Sequence, residues 1–467
     1  MLEFKNFSLS FSENGKENKI LEQINIKFEK GTINVITGKS GAGKSSLIKS
    51  INGIIPEIDK AKIAGDLLLN GKSLLDKDIS SRSNFIATVF QNPKNQFYAV
   101  NSLDEIAFAL ENRNEPRDNI YKKISYYSKL LSSDSLLNRD LFTLSGGQKQ
   151  LIAITSVAVM DNEVYIFDEP SASLDKESIK KLSSCLEVLK SMGKIIIIAE
   201  HRLYYLKNIL DKLIVIENKK AITYTKNQLT PKIIKDHKLR TLDEIRKEDL
   251  KSDKYQIKNL FDKNCDNTQG LLCKDFSCAY KDSPQIFDFS ISFEPGIYFI
   301  IGANGIGKSS FIRNLCGLNK KQNGKIYYKN KLIKNHGAYI SLVMQDVNYQ
   351  LFTESVEMEM AIVSDDKSLI EKSLLALNLA DKKDRHPQRL SGGEKQRLAL
   401  GLAMASPKEI VILDEPTSGL CYENMQRLIE IIKQMKHAGK TIIIISHDYE
   451  FIKNTDENIV EFINERY

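Results

Sequence analysis

Short, nearly continuous apolar runs recur along this 467-residue chain, and each is closed off by polar or glycine-rich sequence. Ile33-Asn34-Val35-Ile36-Thr37 is answered later by Ile297-Tyr298-Phe299-Ile300-Ile301. In the same order, Val164-Tyr165-Ile166-Phe167 is answered by Ile410-Val411-Ile412-Leu413, and Lys194 to Ala199 by Thr441 to Ile445. Runs of this length, separated by helical stretches, predict buried parallel strands of an α/β sheet. Met1 to Phe7 alternates apolar and polar positions, the pattern of a half-buried strand and not of a secretory leader. No run approaches the ~18–20 apolar residues needed to span a bilayer. The chain is therefore expected to lie in the cytoplasm unless something else carries it to a membrane.

The runs belong to an internal repeat. Ser145 to Asp168 and Ser391 to Asp414 are both 23 residues apart. Asp168 to His201 and Asp414 to His447 are both 33, and Gln91 to Glu105 and Gln345 to Glu359 are both 14. Two domains follow, one over residues 1–225 and one over 270–467, joined by a Lys-rich linker at 226–269. The net charge of +7 is concentrated around that linker. Between Lys219 and Lys263 there are thirteen Lys/Arg and seven Asp/Glu. The segment reads as a solvated tether with a short helix near Leu242 to Leu250. At ~3.3 Å per residue it is long enough not to restrict how the domains face each other. Its excess positive charge would attract anionic lipid weakly, and a nucleic-acid site is not expected. The six cysteines are scattered, with no zinc or redox spacing, and are read as reduced thiols.

After the first apolar run of each half comes a phosphate-binding signature. Gly38, Lys39, Ser40, Gly41, Ala42, Gly43, Lys44 and Ser45 fit G-x-x-x-x-G-K-[ST], as do Gly302, Ala303, Asn304, Gly305, Ile306, Gly307, Lys308 and Ser309. Glycines let successive backbone N–H groups curl around phosphate oxygens; the lysine reaches the β/γ-phosphates and the hydroxyl meets Mg²⁺. Ser46 and Ser310 extend each loop. Asp168-Glu169 and Asp414-Glu415 follow buried runs, where the first carboxylate can hold Mg²⁺ and the second can polarise the attacking water. Leu144-Ser145-Gly146-Gly147 and Leu390-Ser391-Gly392-Gly393 each open a helix. A serine cap followed by glycines leaves bare N–H groups for a γ-phosphate. A single Ser-Gly-Gly would be an ordinary N-cap, but two copies at one shared spacing point to chemistry.

Leu-Ser-Gly-Gly between a P-loop and an Asp-Glu-Pro strand resembles the ABC-type ATPases, and the resemblance covers both halves. It implies two P-loop NTPase domains in tandem, each α/β with a mainly parallel core sheet, an antiparallel β subdomain and a helical subdomain carrying the signature. It also implies head-to-tail pairing, within one chain, so that each Mg²⁺–ATP lies between one P-loop and the other domain's signature. One composite site would use Lys44, Ser45, Gln91, Asp168, Glu169 and His201 with Ser391, Gly392 and Gly393. The other would use Lys308, Ser309, Gln345, Asp414, Glu415 and His447 with Ser145, Gly146 and Gly147. Ser45, Gln91 and Asp168, and Ser309, Gln345 and Asp414, are the implied metal ligands, and His201 and His447 the γ-phosphate switches. Phe11 and Tyr280 match the aromatic that stacks on adenine. One departure stands out. The loop after each catalytic glutamate ends in Asp175 in the first half and in Cys421 in the second. A neutral thiol cannot replace that carboxylate, so unequal sites are expected, with the Lys44 site impaired.

Gln91-Asn92-Pro93-Lys94-Asn95-Gln96 and Gln345 to Gln350 share a second glutamine, and Ala199-Glu200-His201-Arg202 is an unusual switch sequence. Both are similar to the ATPases of energy-coupling factor importers, which serve vitamins and transition-metal ions. That resemblance implies a peripheral protein on the cytoplasmic face of the cell membrane. Its partners would be a transmembrane coupling subunit docked near Gln91–Phe97 and Gln345–Phe352, and a membrane-embedded substrate-binding subunit. The alternatives are a fused ATPase of a sugar or nucleoside importer and a soluble ABC translation factor. The latter usually carries a different sequence after Asp-Glu-Pro and a long charged arm between its domains.

Overall fold

In a computed structural model, all residues are described except 14–15, 173, 264–268, 280–284, 320–321 and 465–467. The chain divides into two units, the first built on Met1–Glu244 and the second on Ile245–Leu420 with Asn424–Tyr467. Each holds two sheets.

In the first unit, β1 (Leu2–Glu13), β2 (Lys16–Phe28), β4 (Lys62–Leu69) and β5 (Lys72–Ser73) form an antiparallel sheet in the order β2-β1-β4-β5. A second sheet contains β3 (Thr32–Gly38), β6 (Ile86–Val89), β7 (Val164–Asp168), β8 (Ile195–Ala199), β9 (Lys212–Glu217) and β10 (Lys220–Thr225), ordered β10-β9-β3-β8-β7-β6. Only its β9–β10 hairpin is antiparallel. The apolar runs are its central strands, and the four isoleucines of β8 are fully buried. The helices Ser102–Glu111, Arg117–Leu130 and Gly146–Ala158 make the helical subdomain.

The second unit repeats this plan. β12 (Leu271–Ala279), β13 (Gln285–Phe293), β15 (Gln322–Tyr328) and β16 (Lys331–Leu332) form its antiparallel sheet. The other sheet runs β11-β20-β14-β19-β18-β17, built from β11 (Tyr255–Asn259), β14 (Ile297–Ile301), β17 (Ile340–Val343), β18 (Ile410–Asp414), β19 (Thr441–Ile445) and β20 (Asn458–Ile463). All its pairings are parallel. The two-domain α/β architecture expected from the repeat is thus present.

The helix after the second P-loop, Lys308–Leu315, is held by an aromatic cluster. Phe311 meets Phe276, Phe287, Phe289 and Phe462 with ring centroids 5.9, 6.4, 5.6 and 5.5 Å away. All five rings are buried. Phe311→Ala is therefore expected to cost about 3–5 kcal/mol, read as a lower denaturant midpoint for the second unit's transition. An unchanged midpoint would show that the cluster does not anchor this helix.

The segment expected to be a solvated tether is corrected by the structure. Ile234 and Leu239 join the main core of the first unit. Lys251 and Lys254 pair with Asp456 at 2.6 and 3.5 Å, and Lys247 pairs with Glu461. β11 adds a strand to the second unit's sheet beside β20. Much of the basic excess is thus spent on acidic partners of the fold, and the short helix expected at Leu242 to Leu250 is a 3-10 turn at Lys247–Asp249.

Candidate nucleotide-binding and catalytic sites

Each P-loop leaves the carboxyl end of a central strand, β3 or β14, and enters a helix whose first residue is the motif lysine. The capping glycines Gly43 and Gly307 have φ of 102° and 107°. A Cβ at Gly307 would come within 2.6 Å of the Ile286 side chain, so both conformation and space exclude other residues. Lys44 donates to the carbonyls of Gly38 and Lys39 at 3.2 and 3.0 Å; Lys308 donates to those of Gly302 and Ala303 at 2.7 and 3.0 Å. Both ammonium groups thus lie inside the loop that the backbone N–H groups line. Ser45 and Ser309 are exposed on the first turn.

Asp168 and Asp414 end β7 and β18. The next residues, Glu169 and Glu415, are in the left-handed region at φ 45° and 46°. That conformation is costly for glutamate, and its repetition in both units marks a functional constraint. A hydrogen bond from Glu169 N to Ala199 O at 2.8 Å fixes it, with Glu415 N to Ile445 O at 3.0 Å as its counterpart. Each glutamate faces its switch histidine: His201 Nε2 and His447 Nε2 are both 3.7 Å from a carboxylate oxygen. In the first unit Gln91 Nε2 also donates to Glu169 at 2.9 Å, leaving its amide oxygen available.

Burial dominates the electrostatics. It raises the Asp168 and Asp414 carboxyls and pushes Glu169 up to about 8, helped by the nearby Glu200 carboxylate. It also lowers the Lys44 ammonium, against the opposing pull of Glu169. His201 is held well below the ordinary imidazole range, first by burial and then by the positive charges of Lys44 and Arg240. Both influences favour the uncharged form of the His201 imidazole, which donates from one ring nitrogen and accepts at the other. Ser45, Gln91 and Asp168, like Ser309, Gln345 and Asp414, offer hydroxyl, amide and carboxylate oxygens, the hard donors that Mg²⁺ takes beside phosphates. They fit the ion, whose contribution would be to neutralise charge on the β- and γ-phosphates.

Ser145 and Ser391 cap the helices Gly146–Ala158 and Gly392–Ala405 through capping boxes with Gln148 and Glu394. Both serines and the first glycine after each are exposed, so the helix N-termini are open to an anion while still carrying a cap. Phe11 lies on β1, half-buried. Tyr280 lies outside the described residues. Asp175 caps the helix Lys176–Ser191 by accepting from Ser178 N at 2.9 Å, and Cys421, before the helix Tyr422–His437, is buried.

Two pairs of residues acquire roles that spacing alone did not show. Gln96 accepts from Phe90 N at 3.2 Å and donates to Thr88 O; Gln350 accepts from Met344 N at 2.8 Å and donates to Leu342 O. Each second glutamine thus pins its loop to the strand before it. The buried Glu105 accepts from the backbone N–H groups of Tyr98 and Ala99, both at 2.9 Å. Glu359 does the same for Phe352 and Thr353. The shared 14-residue offset is the signal that could have revealed it: a carboxylate on a helix fastening the loop that begins at Gln91 or Gln345.

The profile of one family, described as ABC transporter, matches residues 21–172 and 286–418. An ABC transporter ATP-binding protein of Treponema denticola is 36% identical over 96% of this chain and 92% of its own length. One from Methanosarcina mazei is 30% identical over 98% of this chain and 93% of its own length. Among solved structures, ribosome-bound archaeal ABCE1 with Pelota superposes with a TM-score of 0.65 over 96% of this chain and 74% of that one, at 22% identity. That last likeness is one of fold.

Proposed function

The chain belongs to the ABC transporter family and is an ATP-hydrolysing P-loop ATPase; from there we propose that it energises a membrane importer of the energy-coupling factor type, taking up a vitamin or a transition-metal ion. Its two units would pair head to tail on Mg²⁺–ATP and close, then reopen on hydrolysis, moving helices of a transmembrane coupling subunit. A separate membrane-embedded subunit would bind the cargo.

In each half-site the P-loop lysine and N–H groups would hold the phosphates, and the Ser, Gln and Asp oxygens would hold Mg²⁺. The glutamate, fixed in its left-handed conformation, would take a proton from the attacking water, and the histidine would align the γ-phosphate.

One observation carries the membrane-partner reading. Beside each fastened loop stand exposed aromatic side chains, and two of them, Tyr98 and Phe352, occupy equivalent places, each 7 residues after the first glutamine of its loop. In the first, Tyr98 and Phe142 are each 79% exposed, and Tyr98 stacks on Phe108 at 5.2 Å. In the second, Phe352 is 76% and Tyr349 72% exposed. Next to that loop a cavity of about 330 Å³ is lined by Cys316, His336, Leu342, Gln350, Leu402 and Lys408. Exposed apolar patches of this kind mark partner surfaces, and the named relatives are transporter ATPases. Among the described residues no helix is long and apolar enough to cross a membrane, so the partner would supply the span.

A second reading, a soluble tandem ATPase acting on ribosomes, is favoured by the nearly full-length superposition on ABCE1. One experiment separates the two. Fractionation of cells carrying the full chain is expected to place it with membranes, and Tyr98→Glu with Phe352→Glu to release it. Recovery with ribosomes, unaffected by the two substitutions, would favour the second reading.

A further inference from the structure

The two units secure their switch loops differently. In the second, Asp448 follows His447 and caps the helix Tyr449–Thr455, accepting from Phe451 N at 3.2 Å. The first has Arg202 at that place and only a 3-10 turn, Tyr204–Leu206, behind it. Its loop is instead built around Glu200, where the second unit has Ser446. One oxygen of Glu200 accepts from the N–H groups of His201 and Arg202 at 2.7 and 3.0 Å. The other accepts from Ser171 N at 3.3 Å and Tyr205 Oη at 2.9 Å. Ser171 belongs to the loop that leads from Glu169 to Asp175. The switch loop and that loop are therefore tied to one carboxylate.

A strap from beyond the last sheet strand lies over this junction. After the helix Pro231–Asp236, Leu239 sinks into the core and Leu242 packs against it. Between them Arg240 is only 3% exposed. Asp243 pairs with Lys207, the C-cap of the 3-10 turn, at 2.6 Å, and Glu244 pairs with Lys176, the residue after Asp175, at 2.7 Å. Through Asp243 and Glu244 the strap thus pairs with the elements that follow both loops, the 3-10 turn and the helix Lys176–Ser191, and Arg240 is the buried residue between its apolar anchors. A buried guanidinium persists only where nearby acceptors and anions offset its desolvation. That its charge is felt at His201 agrees with this placement.

We propose that Arg240 is a positioning residue for ATP hydrolysis at the first nucleotide site, and that the strap at 239–244 holds the switch loop and the Glu169–Asp175 loop in mutual register. It does for the first unit what the Asp448-capped helix does for the second. The proposal rests on Glu169 and His201 serving that site.

The full chain carrying Glu415→Gln isolates first-site turnover. In it, Arg240→Gln is expected to lower the single-turnover rate at saturating Mg²⁺–ATP by about ten- to a hundred-fold, with half-saturation changed by no more than about two-fold. Arg240→Lys should restore most of the rate. A full rate with Arg240→Gln, or a loss that Arg240→Lys does not rescue, or one matched by weaker ATP half-saturation, overturns the proposal. Should Arg240→Gln not fold, the surface pair Asp243→Ala with Glu244→Ala decides: a rate several-fold below the parent's supports the strap, and an unchanged rate overturns it. If the parent itself turns over no faster than the chain with Glu169→Gln added, the assignment of Glu169 fails, and not the role of Arg240.

Discussion

Glu415→Gln is expected to remove nearly all steady-state ATP hydrolysis, about a hundred-fold or more, whereas Glu169→Gln should leave most of it. Both glutamates occupy the same left-handed conformation, each beside its histidine, so their backbone geometry does not rank them. The difference comes from the loops that follow. In the proposed head-to-tail pairing, the Lys44 site faces the loop ending in Cys421, and the Lys308 site faces the loop ending in Asp175. A thiol is a weak hydrogen-bond acceptor with no charge at neutral pH, so the water and P-loop opposite it lose an organising carboxylate. Cys421→Asp in the Glu415→Gln chain should accordingly raise first-site single-turnover hydrolysis several-fold. Asp175 also caps its own helix, and loss of that cap alone is worth only about 1 kcal/mol of stability. Thermal melts therefore separate the helix-capping effect from the catalytic one. Equal losses from the two glutamate variants would end the argument for unequal sites.

The second large effect is on nucleotide affinity. Lys44→Ala is expected to weaken ATP binding at the first site by about a hundred-fold, and by more than Lys308→Ala weakens the second. Lys44 is the buried cation among Asp168, Glu169 and Glu200. Removing it leaves three acidic side chains, Glu200 among them, facing a polyphosphate without their cation. Around Lys308 the position of Glu200 is taken by the uncharged Ser446, so one repulsion is missing. Equilibrium binding of a fluorescent ATP analogue to each variant, with the other site blocked by its own lysine substitution, measures the two. Equal losses would show that the extra carboxylate is already neutralised by its own hydrogen bonds.

Most of the candidate nucleotide site is legible in the sequence because it is built from local chemistry. A P-loop needs its glycines at fixed offsets, and an Asp-Glu pair needs a buried strand before it. Repetition at equal spacing made each motif hard to mistake. What remained hidden depends on contacts between distant segments. Glu200 looked like part of a subfamily signature, and only the fold shows its two oxygens collecting four donors from two loops. Gln96 and Glu105 were visible as a shared spacing without a purpose, since their partners are backbone N–H and carbonyl groups that carry no sequence identity. The Lys-rich stretch misled for a different reason. Its charge suggests solvation, while the apolar residues that dock it, among them Ile234, Leu239, Leu242 and Leu260, are too sparse to form a period.

β11 carries a consequence for how the chain is made. Tyr255 pairs with Ile459, a partner about 200 residues further along. At roughly 5–20 residues per second of synthesis, that strand waits on the order of ten to forty seconds with its hydrogen-bonding edge open, while everything between it and β20 is still being added. In the first unit the edge strand at the corresponding place, β10, follows its partner β9 directly. Nascent chains arrested anywhere between the two strands should thus present a finished first ATPase and an unfinished second one, an order of assembly written into which edge strand each unit borrowed.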